Sequence, residues 1–294
     1  MSSIPRQLLT FLGVLALLYA GGFLAGQLID ADARDEHAMS SEEPAHSNTM
    51  ESEEPAHSTE QAPEAADPVR GLAVAGDGLR LVLDDADVRA GRADELRFRV
   101  VGSDGEAVRD FDVEHTKRMH AIVVRRDLTG FQHLHPEMGP DGTWSTPLRV
   151  DDAGSYRLFA DFSHRDEPRT LATDLRVDGD ADLRDLPAAE ANATSDGGYD
   201  VRLDAGQATA GEASQLNFAI TRDGRPVDVE PYLGAGGHLV ALREGDLAFL
   251  HVHPVGRGTE FAATFPTRGR YRLFLQFQVD GKVQTVAFTH EVNQ

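Results

Sequence analysis

The fold of this chain is decided by the stretch Met119-His-Ala-Ile-Val-Val-Arg-Arg-Asp-Leu-Thr-Gly-Phe-Gln-His-Leu-His-Pro136, because the chain contains it twice. The second copy is Gly237-His-Leu-Val-Ala-Leu-Arg-Glu-Gly-Asp-Leu-Ala-Phe-Leu-His-Val-His-Pro254. In each copy a single histidine precedes an apolar run, a turn of six residues follows, and Phe-x-His-x-His-Pro closes the unit. The first and second histidines are thirteen residues apart in both copies. This repeat predicts two domains of one fold.

Strand periodicity places the three histidines of each copy together. Residues two apart on a strand share a face and lie about 6.6 Å apart, so His133 and His135 are neighbours. With Arg125 to Gly130 as the hairpin loop, antiparallel pairing sets Ile122 opposite His133 and His120 opposite His135. The second copy gives the same register, with His238, His251 and His253 on one face.

Three imidazoles on one face can supply three nitrogen ligands to a transition metal and leave one position open. The predicted metal ligands are therefore His120, His133 and His135 in the first copy, and His238, His251 and His253 in the second. The alternative is that these histidines are buried packing residues hydrogen-bonded to the backbone.

Two further side chains of the first copy are candidates for the same site. Asp161 is predicted to lie off the core face of its strand, where it is either a fourth ligand, an acceptor that orients an imidazole, or a solvated carboxylate. Met119 could add a thioether, which would suit copper, whereas imidazoles with a carboxylate would suit zinc. The second copy has Gly237 and Gln276 at these positions. The first domain is therefore predicted to hold the stronger site, and no organic cofactor is expected.

Composition limits the partners. The 294 residues carry a net charge of −21, which disfavours nucleic acid and anionic membrane surfaces and favours cations. The chain has no cysteine, so disulfides, thiolate ligands and thiol nucleophiles are excluded.

The N-terminal part predicts a membrane anchor and a spacer. Leu8–Ile29 contains no charge over 22 residues, enough to cross the roughly 30 Å hydrocarbon core as a helix. Arg6 precedes this run and acidic residues follow it, which predicts a single-pass protein with residues 1–29 as anchor, a cytoplasmic N-terminus and extracytoplasmic domains. A cleaved signal peptide is the competing interpretation. Residues 30–68 hold twelve acidic residues and one basic residue, which predicts a disordered linker.

Beyond residue 68 the sequence changes to short alternating runs separated by Gly and Asp turns. Seven predicted strands in residues 69–178 and seven matching ones in residues 198–294 are typical of β-sandwiches, with a polar linker at 179–197. The predicted fold is all-β, with two tandem immunoglobulin-like sandwiches following the anchor and the acidic linker.

The segments Met119–Leu128, Phe131–Pro136 and Tyr156–Phe162 resemble the motifs of YtkA-like proteins, secreted bacterial domains with an immunoglobulin-like fold. The resemblance covers residues 70–178 and, less closely, 198–293. It implies an extracytoplasmic location and a sandwich fold. The architecture is also similar to that of copper-handling proteins of the CopC class.

Three classes of function are compatible with these patterns. The first is a membrane-anchored protein that captures or buffers copper or zinc outside the cytoplasm. The second is a structural or interaction module that binds another envelope protein and no metal. The third is a metal-dependent hydrolase, which ranks last because no general base, oxyanion donor or nucleophile motif accompanies the histidines. The sequence therefore predicts a binding protein and not an enzyme.

Overall fold

The structure, a computed structural model, describes residues 69–294, except for the side chains of His251 and His253. These residues form strands, turns and bends without a helix, which confirms the all-β prediction. Among them no helix is long and apolar enough to span a bilayer. The predicted anchor Leu8–Ile29 and the predicted linker 30–68 lie outside the described residues.

The first repeat folds into two five-stranded sheets. One sheet has the strand order β1-β2-β4-β8-β7 and the other β3-β10-β9-β5-β6. The inward side chains of both form one core that includes Phe98, Trp144 and Phe162. The strands are β1 (Ala75–Gly76), β2 (Leu79–Leu83), β3 (Asp87–Val88), β4 (Arg92–Val101), β5 (His120–Arg125), β6 (Gln132–Leu134), β7 (Glu137–Met138), β8 (Trp144–Val150), β9 (Gly154–His164) and β10 (Glu167–Val177).

The second repeat has the same plan with two differences. An additional short strand, β15, pairs with β14. A continuous strand, β17, replaces the separate β6 and β7 and pairs with both β16 and β18, so the two layers join at this edge. Its core includes Phe218, Phe261 and Phe277. The strands are β11 (Asn192–Thr194), β12 (Asp200–Ala205), β13 (Ala208–Thr209), β14 (Ala213–Arg222), β15 (Arg225–Pro226), β16 (His238–Arg243), β17 (Phe249–Pro254), β18 (Glu260–Thr264), β19 (Gly269–Val279) and β20 (Lys282–Asn293).

Both hairpins have the predicted register. Ile122 pairs with His133 in the first, and Leu242 pairs with Phe249 in the second. Strand β6, predicted from Phe131 to His135, is one residue shorter at each end, so His135 follows the strand. The alternation therefore puts the side chains of His120, Ile122 and His133 on one face of the sheet, as the spacing required.

That face is covered by the other sandwich. Strand β5 is buried along its whole length, because Ala121 and Val123 enter the core of the first sandwich while Ile122 and Val124 enter a separate apolar cluster. This interface cluster contains side chains of both sandwiches. Its buried members are Ile122, Val124, Leu128, Phe159 and Ala172 of the first and Val240, Leu242, Leu247, Phe249 and Phe274 of the second.

The interface repeats one aromatic contact with the roles of the sandwiches exchanged. Phe131 of the first stacks on Phe274 of the second, with ring centroids 4.1 Å apart and planes within 8°. The equivalent residues Phe249 and Phe159 meet with centroids 5.3 Å apart. Two equivalent surfaces in reciprocal contact are the pattern of an isologous dimer interface, here formed within one chain.

The segment leading into the first sandwich also reaches the interface. Phe249 donates its backbone N–H to the carbonyl of Arg70 over 3.0 Å. The guanidinium of Arg157, which is buried, donates to the carbonyl of Gly71 at 3.1 and 3.0 Å and to that of Leu72 at 2.9 Å. Residues 70–72 therefore connect a buried cation of one sandwich to a strand of the other.

Replacing Gly71 with alanine is expected to destabilise this junction. Gly71 has a φ of +70°, and an added Cβ would lie 2.7 Å from the Cβ of Phe249 and 2.8 Å from the ring of Phe159. We expect a loss of about 1–3 kcal/mol from overpacking, beyond the cost of a left-handed residue. The matched control is Gly78→Ala, where φ is +77° and no atom lies within 4 Å. Equal losses in urea-induced unfolding of the two variants would show that Gly71 is not confined by the interface.

Candidate metal centre

Three predicted ligands of the first sandwich converge. One ligand nitrogen each from His120, His133 and His135 can be chosen so that all lie within 4.8 Å of one another. Ring centroids are 5.1 Å apart for His120 and His133, 5.2 Å for His120 and His135, and 4.6 Å for His133 and His135. The hairpin register produces this arrangement, because it brings residues thirteen positions apart to adjacent strands on one face.

The second sandwich contributes to the same cluster. The ring of His238 lies 5.6 Å from that of His120, with the planes within 13°, and 4.6 Å from that of His133. The amide oxygen of Gln276 lies 2.7 Å from Nδ1 of His133. The packing of the sandwiches therefore places His238 and Gln276 beside the first triad, which the sequence did not predict. The weaker second site stays a prediction, because the side chains of His251 and His253 are not described.

The oxygen atoms beside His120 and His133 indicate which ring nitrogens carry protons. Gln276 donates its amide nitrogen to Thr285, so its oxygen accepts from Nδ1–H of His133. At the other end, Nε2 of His120 lies 3.2 Å from the carbonyl oxygen of Glu114, which can only accept. Between them Nδ1 of His120 and Nε2 of His133 are 2.9 Å apart.

This chain of contacts leaves a position for a cation. If both outer nitrogens carry protons, two neutral imidazoles present lone pairs to each other across the 2.9 Å gap. A third proton or a metal ion between the inner nitrogens would resolve that repulsion. An imidazole that binds metal through one nitrogen and donates the other N–H to an oxygen is the usual arrangement of histidine ligands.

His135 adds a nitrogen with unsatisfied hydrogen-bonding capacity. Its Nε2 is buried and has no hydrogen-bond partner among the residues that the structure describes. Leaving a buried polar atom unpaired costs about 1–3 kcal/mol, so such an atom requires an explanation. A ligand bound at the cluster would provide one.

The environment keeps two of the rings neutral. Burial, with the neighbouring His120 and His135, lowers the pKa of His133 from 6.5 to about 3. Burial, with His120 and Lys117, lowers the pKa of His135 from 6.5 to about 4. Neutral imidazole is the form that binds metal, so neither ring must lose a proton at neutral pH.

Metal-free protein is expected to lose stability as the pH falls from about 6.5 to about 5. In that range unfolded histidine gains a proton while His133 and His135, with depressed pKa values, stay neutral in the fold. The loss approaches about 1.4 kcal/mol per pH unit for each ring and continues until the pH reaches the folded pKa values. Urea unfolding at several pH values measures it. In the His133→Ala variant the slope should be shallower, and an unchanged slope would contradict the depressed pKa.

Asp161 is buried and not a solvated carboxylate. It pairs with His120 in the ladder between β5 and β9, and it accepts a hydrogen bond from the hydroxyl of Thr170 at 2.7 Å. Its predicted role as a ligand or as an acceptor that orients an imidazole stays a prediction.

Met119 is not part of the cluster. It is fully buried in the core of the first sandwich with Ala121 and Val123, on the side away from His120. The predicted thioether ligand is therefore wrong, and the argument for copper that depended on it is removed. The strand that carries His251 and His253 is described, but their side chains are not, so their predicted role stays a prediction.

One histidine at the cluster was not predicted. His115 lies in the loop before β5, with its ring 6.2 Å from that of His120 and 5.8 Å from that of His238. The repeat gave no signal for it, because the second copy has no counterpart. The role of Gln276 was also missed, although its replacement of Asp161 at an equivalent position marked the site as asymmetric.

The family of the chain follows from a match to a family model. A model described as a domain of unknown function, DUF8832, matches residues 73–179 and again residues 193–294. The chain belongs to this family. The resemblance to YtkA-like proteins is not confirmed by this match. A comparison with curated proteins gave no match.

Solved structures similar to the two DUF8832 domains include an Escherichia coli adhesin, FdeC, at 14% identity over 76% of this chain and 66% of that chain, with a TM-score of 0.26. Another is Escherichia coli alpha-2-macroglobulin, at 13% identity over 73% of this chain and 20% of that one, with a TM-score of 0.26. The tandem Ig repeats of Dlar match at 7% identity over 73% of this chain and 97% of that one, with a TM-score of 0.21. The chain thus spans less than two thirds of the length of the first two of these structures. With TM-scores this low, none of the three structures indicates a function for this chain.

Proposed function

We propose that this chain is an extracytoplasmic metal-binding protein, tethered by Leu8–Ile29, whose DUF8832 domains hold a zinc or copper ion at their interface. The observation that carries the proposal is the pair of inner nitrogens of His120 and His133, 2.9 Å apart, with outer nitrogens directed at oxygens. The buried Nε2 of His135 supports it as a third ligand. Imidazoles suit zinc and copper, and the net charge of −21 favours cations over anions.

Metal binding is tested by titrating the protein with Zn²⁺ and with Cu²⁺ while following thermal unfolding. A ligand of the native state stabilises by RT ln(1 + [L]/Kd), about 2.7 kcal/mol at a hundred times Kd. His135→Ala should weaken binding more than about tenfold, which is about 1.4 kcal/mol.

The matched control is His164→Ala. The ring of His164 is hydrogen-bonded to the backbone carbonyl of Asp110, and His164 is not one of the clustered histidines. Both variants retain the histidines of the N-terminal segment. The difference in metal affinity between the variants therefore reports binding at the cluster alone. If the two variants bind both ions as tightly as the parent, the proposal is wrong.

The second candidate is a structural or interaction module of the envelope that binds no metal. It is favoured by the ten buried apolar side chains of the interface cluster, which hold the sandwiches together without an ion, and by the hydrogen bonds that the histidines already make. In that case neither ion should raise the unfolding temperature of the parent or of His135→Ala.

A further inference from the structure

We infer that the ion is shared by the two sandwiches, with His238 as a fourth nitrogen ligand and Gln276 as the residue that positions His133. This inference rests on the proposed metal binding. It adds a ligand and a positioning residue from the second domain. Such a site is closed, so the ion would act as a cross-link between domains and not as a catalyst with an open position.

The distances between rings support four ligands. Two imidazoles bound to one ion through nitrogens 2.0–2.1 Å from it have ring centroids about 5 Å apart in tetrahedral geometry. The ring of His238 lies 4.6 Å from that of His133, as close as any pair in the first sandwich, and 5.6 Å from that of His120, beyond the 5.2 Å of the widest of those pairs. The rings of His120, His133 and His135 are 4.6 to 5.2 Å apart.

The inner nitrogens of His120 and His133 need only a small movement. Two ligands of a tetrahedral ion are about 3.3 Å apart when each lies 2.0–2.1 Å from it, against the 2.9 Å seen here. Opening by a few tenths of an ångström would admit the ion.

Gln276 has a distinct task. Its amide oxygen accepts a hydrogen bond from Nδ1–H of His133, with 2.7 Å between Nδ1 and the oxygen. This bond favours the tautomer in which the unprotonated Nε2 faces His120. Residues that orient a ligand in this way typically affect metal affinity by about 10–100-fold. Since Gln276 belongs to β19 of the second sandwich, both its strand and β16 with His238 must be docked for the site to form.

The test is titration of the full chain with Zn²⁺ alone, and with Co²⁺ alone as a spectroscopic probe. We expect His238→Ala to weaken Zn²⁺ binding at least about tenfold. The visible absorption of bound Co²⁺ should change from that of a site with four nitrogen ligands to that of a site with three nitrogens and a water. His238→Gln serves as a second variant of similar volume, and urea unfolding without metal shows whether each variant folds.

Two failures are distinguishable. If the parent protein binds neither ion, the proposed metal binding fails and this inference with it. If the parent binds, His135→Ala does not, and both His238 variants bind as the parent does with an unchanged Co²⁺ spectrum, metal binding stands and the shared site is wrong.

The contribution of Gln276 is tested in the same assay. Gln276→Leu removes the acceptor and should weaken Zn²⁺ binding about 10–100-fold, while Gln276→Glu keeps an acceptor oxygen and should restore most of the affinity. Equal affinities for the two variants would show that Gln276 does not position His133.

Discussion

Replacing Phe274 with alanine is expected to lower the free energy of unfolding by about 3–5 kcal/mol. Phe274 is buried at the interface cluster and stacks on Phe131 of the other sandwich at 4.1 Å. The loss combines the transfer free energy of the ring with the cavity it leaves between two sheets. Urea-induced unfolding measures it.

A double-mutant cycle separates the interface from ordinary core packing. Phe131→Ala and Phe274→Ala should couple by about 0.5–1.5 kcal/mol, because the rings are in direct contact. As a control, Phe98→Ala, in the core of the first sandwich, should add to Phe274→Ala within about 0.5 kcal/mol. No coupling between Phe131 and Phe274 would mean that the sandwiches do not dock as described.

Replacing Asp127 with alanine is expected to cost about 3–5 kcal/mol, because it removes the closest carboxylate from a buried guanidinium. Arg125 and Asp127 are only 1% and 5% exposed, and two nitrogens of Arg125 bind the carboxylate at 2.7 and 3.0 Å. Burial alone would raise the pKa of Asp127, but hydrogen bonds from Arg125 and Thr129 outweigh it and lower the pKa. This pair sits in the turn between the strands that carry His120 and His133.

The second sandwich supplies the control. Its equivalent pair, Arg243 and Asp246, is 18% and 42% exposed, so Asp246→Ala should cost less than about 1 kcal/mol. The two variants are compared by urea unfolding at pH 7. Similar losses for both would contradict the difference in burial on which the prediction rests.

The hairpin part of the fold was predictable because strand periodicity is exact in both copies. The spacing of thirteen residues and the loop from Arg125 to Gly130 are enough to pair Ile122 with His133, and β5 and β6 have that register. The predicted strand, Phe131 to His135, was one residue too long at each end, because the ladder covers only Gln132–Leu134.

The docking of the two sandwiches was not predicted, although the sequence contained a signal. The runs Ala121–Val124 and Leu239–Leu242 are apolar at every position, whereas a strand with one solvent face alternates. An unbroken apolar run indicates a strand buried on both faces. It does not identify the covering surface, which depends on contacts distant in sequence.

Met119 shows a limit of the same reasoning. It precedes His120 by one residue, so it lies on the opposite face and enters the core. Alternation would have excluded it as a ligand. Asp161 and Gln276 show another limit. These aligned residues bond equivalent threonines, Thr170 and Thr285, but Gln276 also accepts from His133 of the other sandwich, a contact that alignment of the two copies does not reveal.

The central claim is that imidazoles of both sandwiches bind one ion, and X-ray absorption spectroscopy of the full chain loaded with one equivalent of Zn²⁺ tests it most directly. We predict a first shell of about four nitrogens at about 2.0–2.1 Å, with the outer-shell scattering of imidazole rings, and a loss of one imidazole in His238→Ala. A first shell of oxygen atoms, or a spectrum identical in His238→Ala and the parent, would contradict the claim.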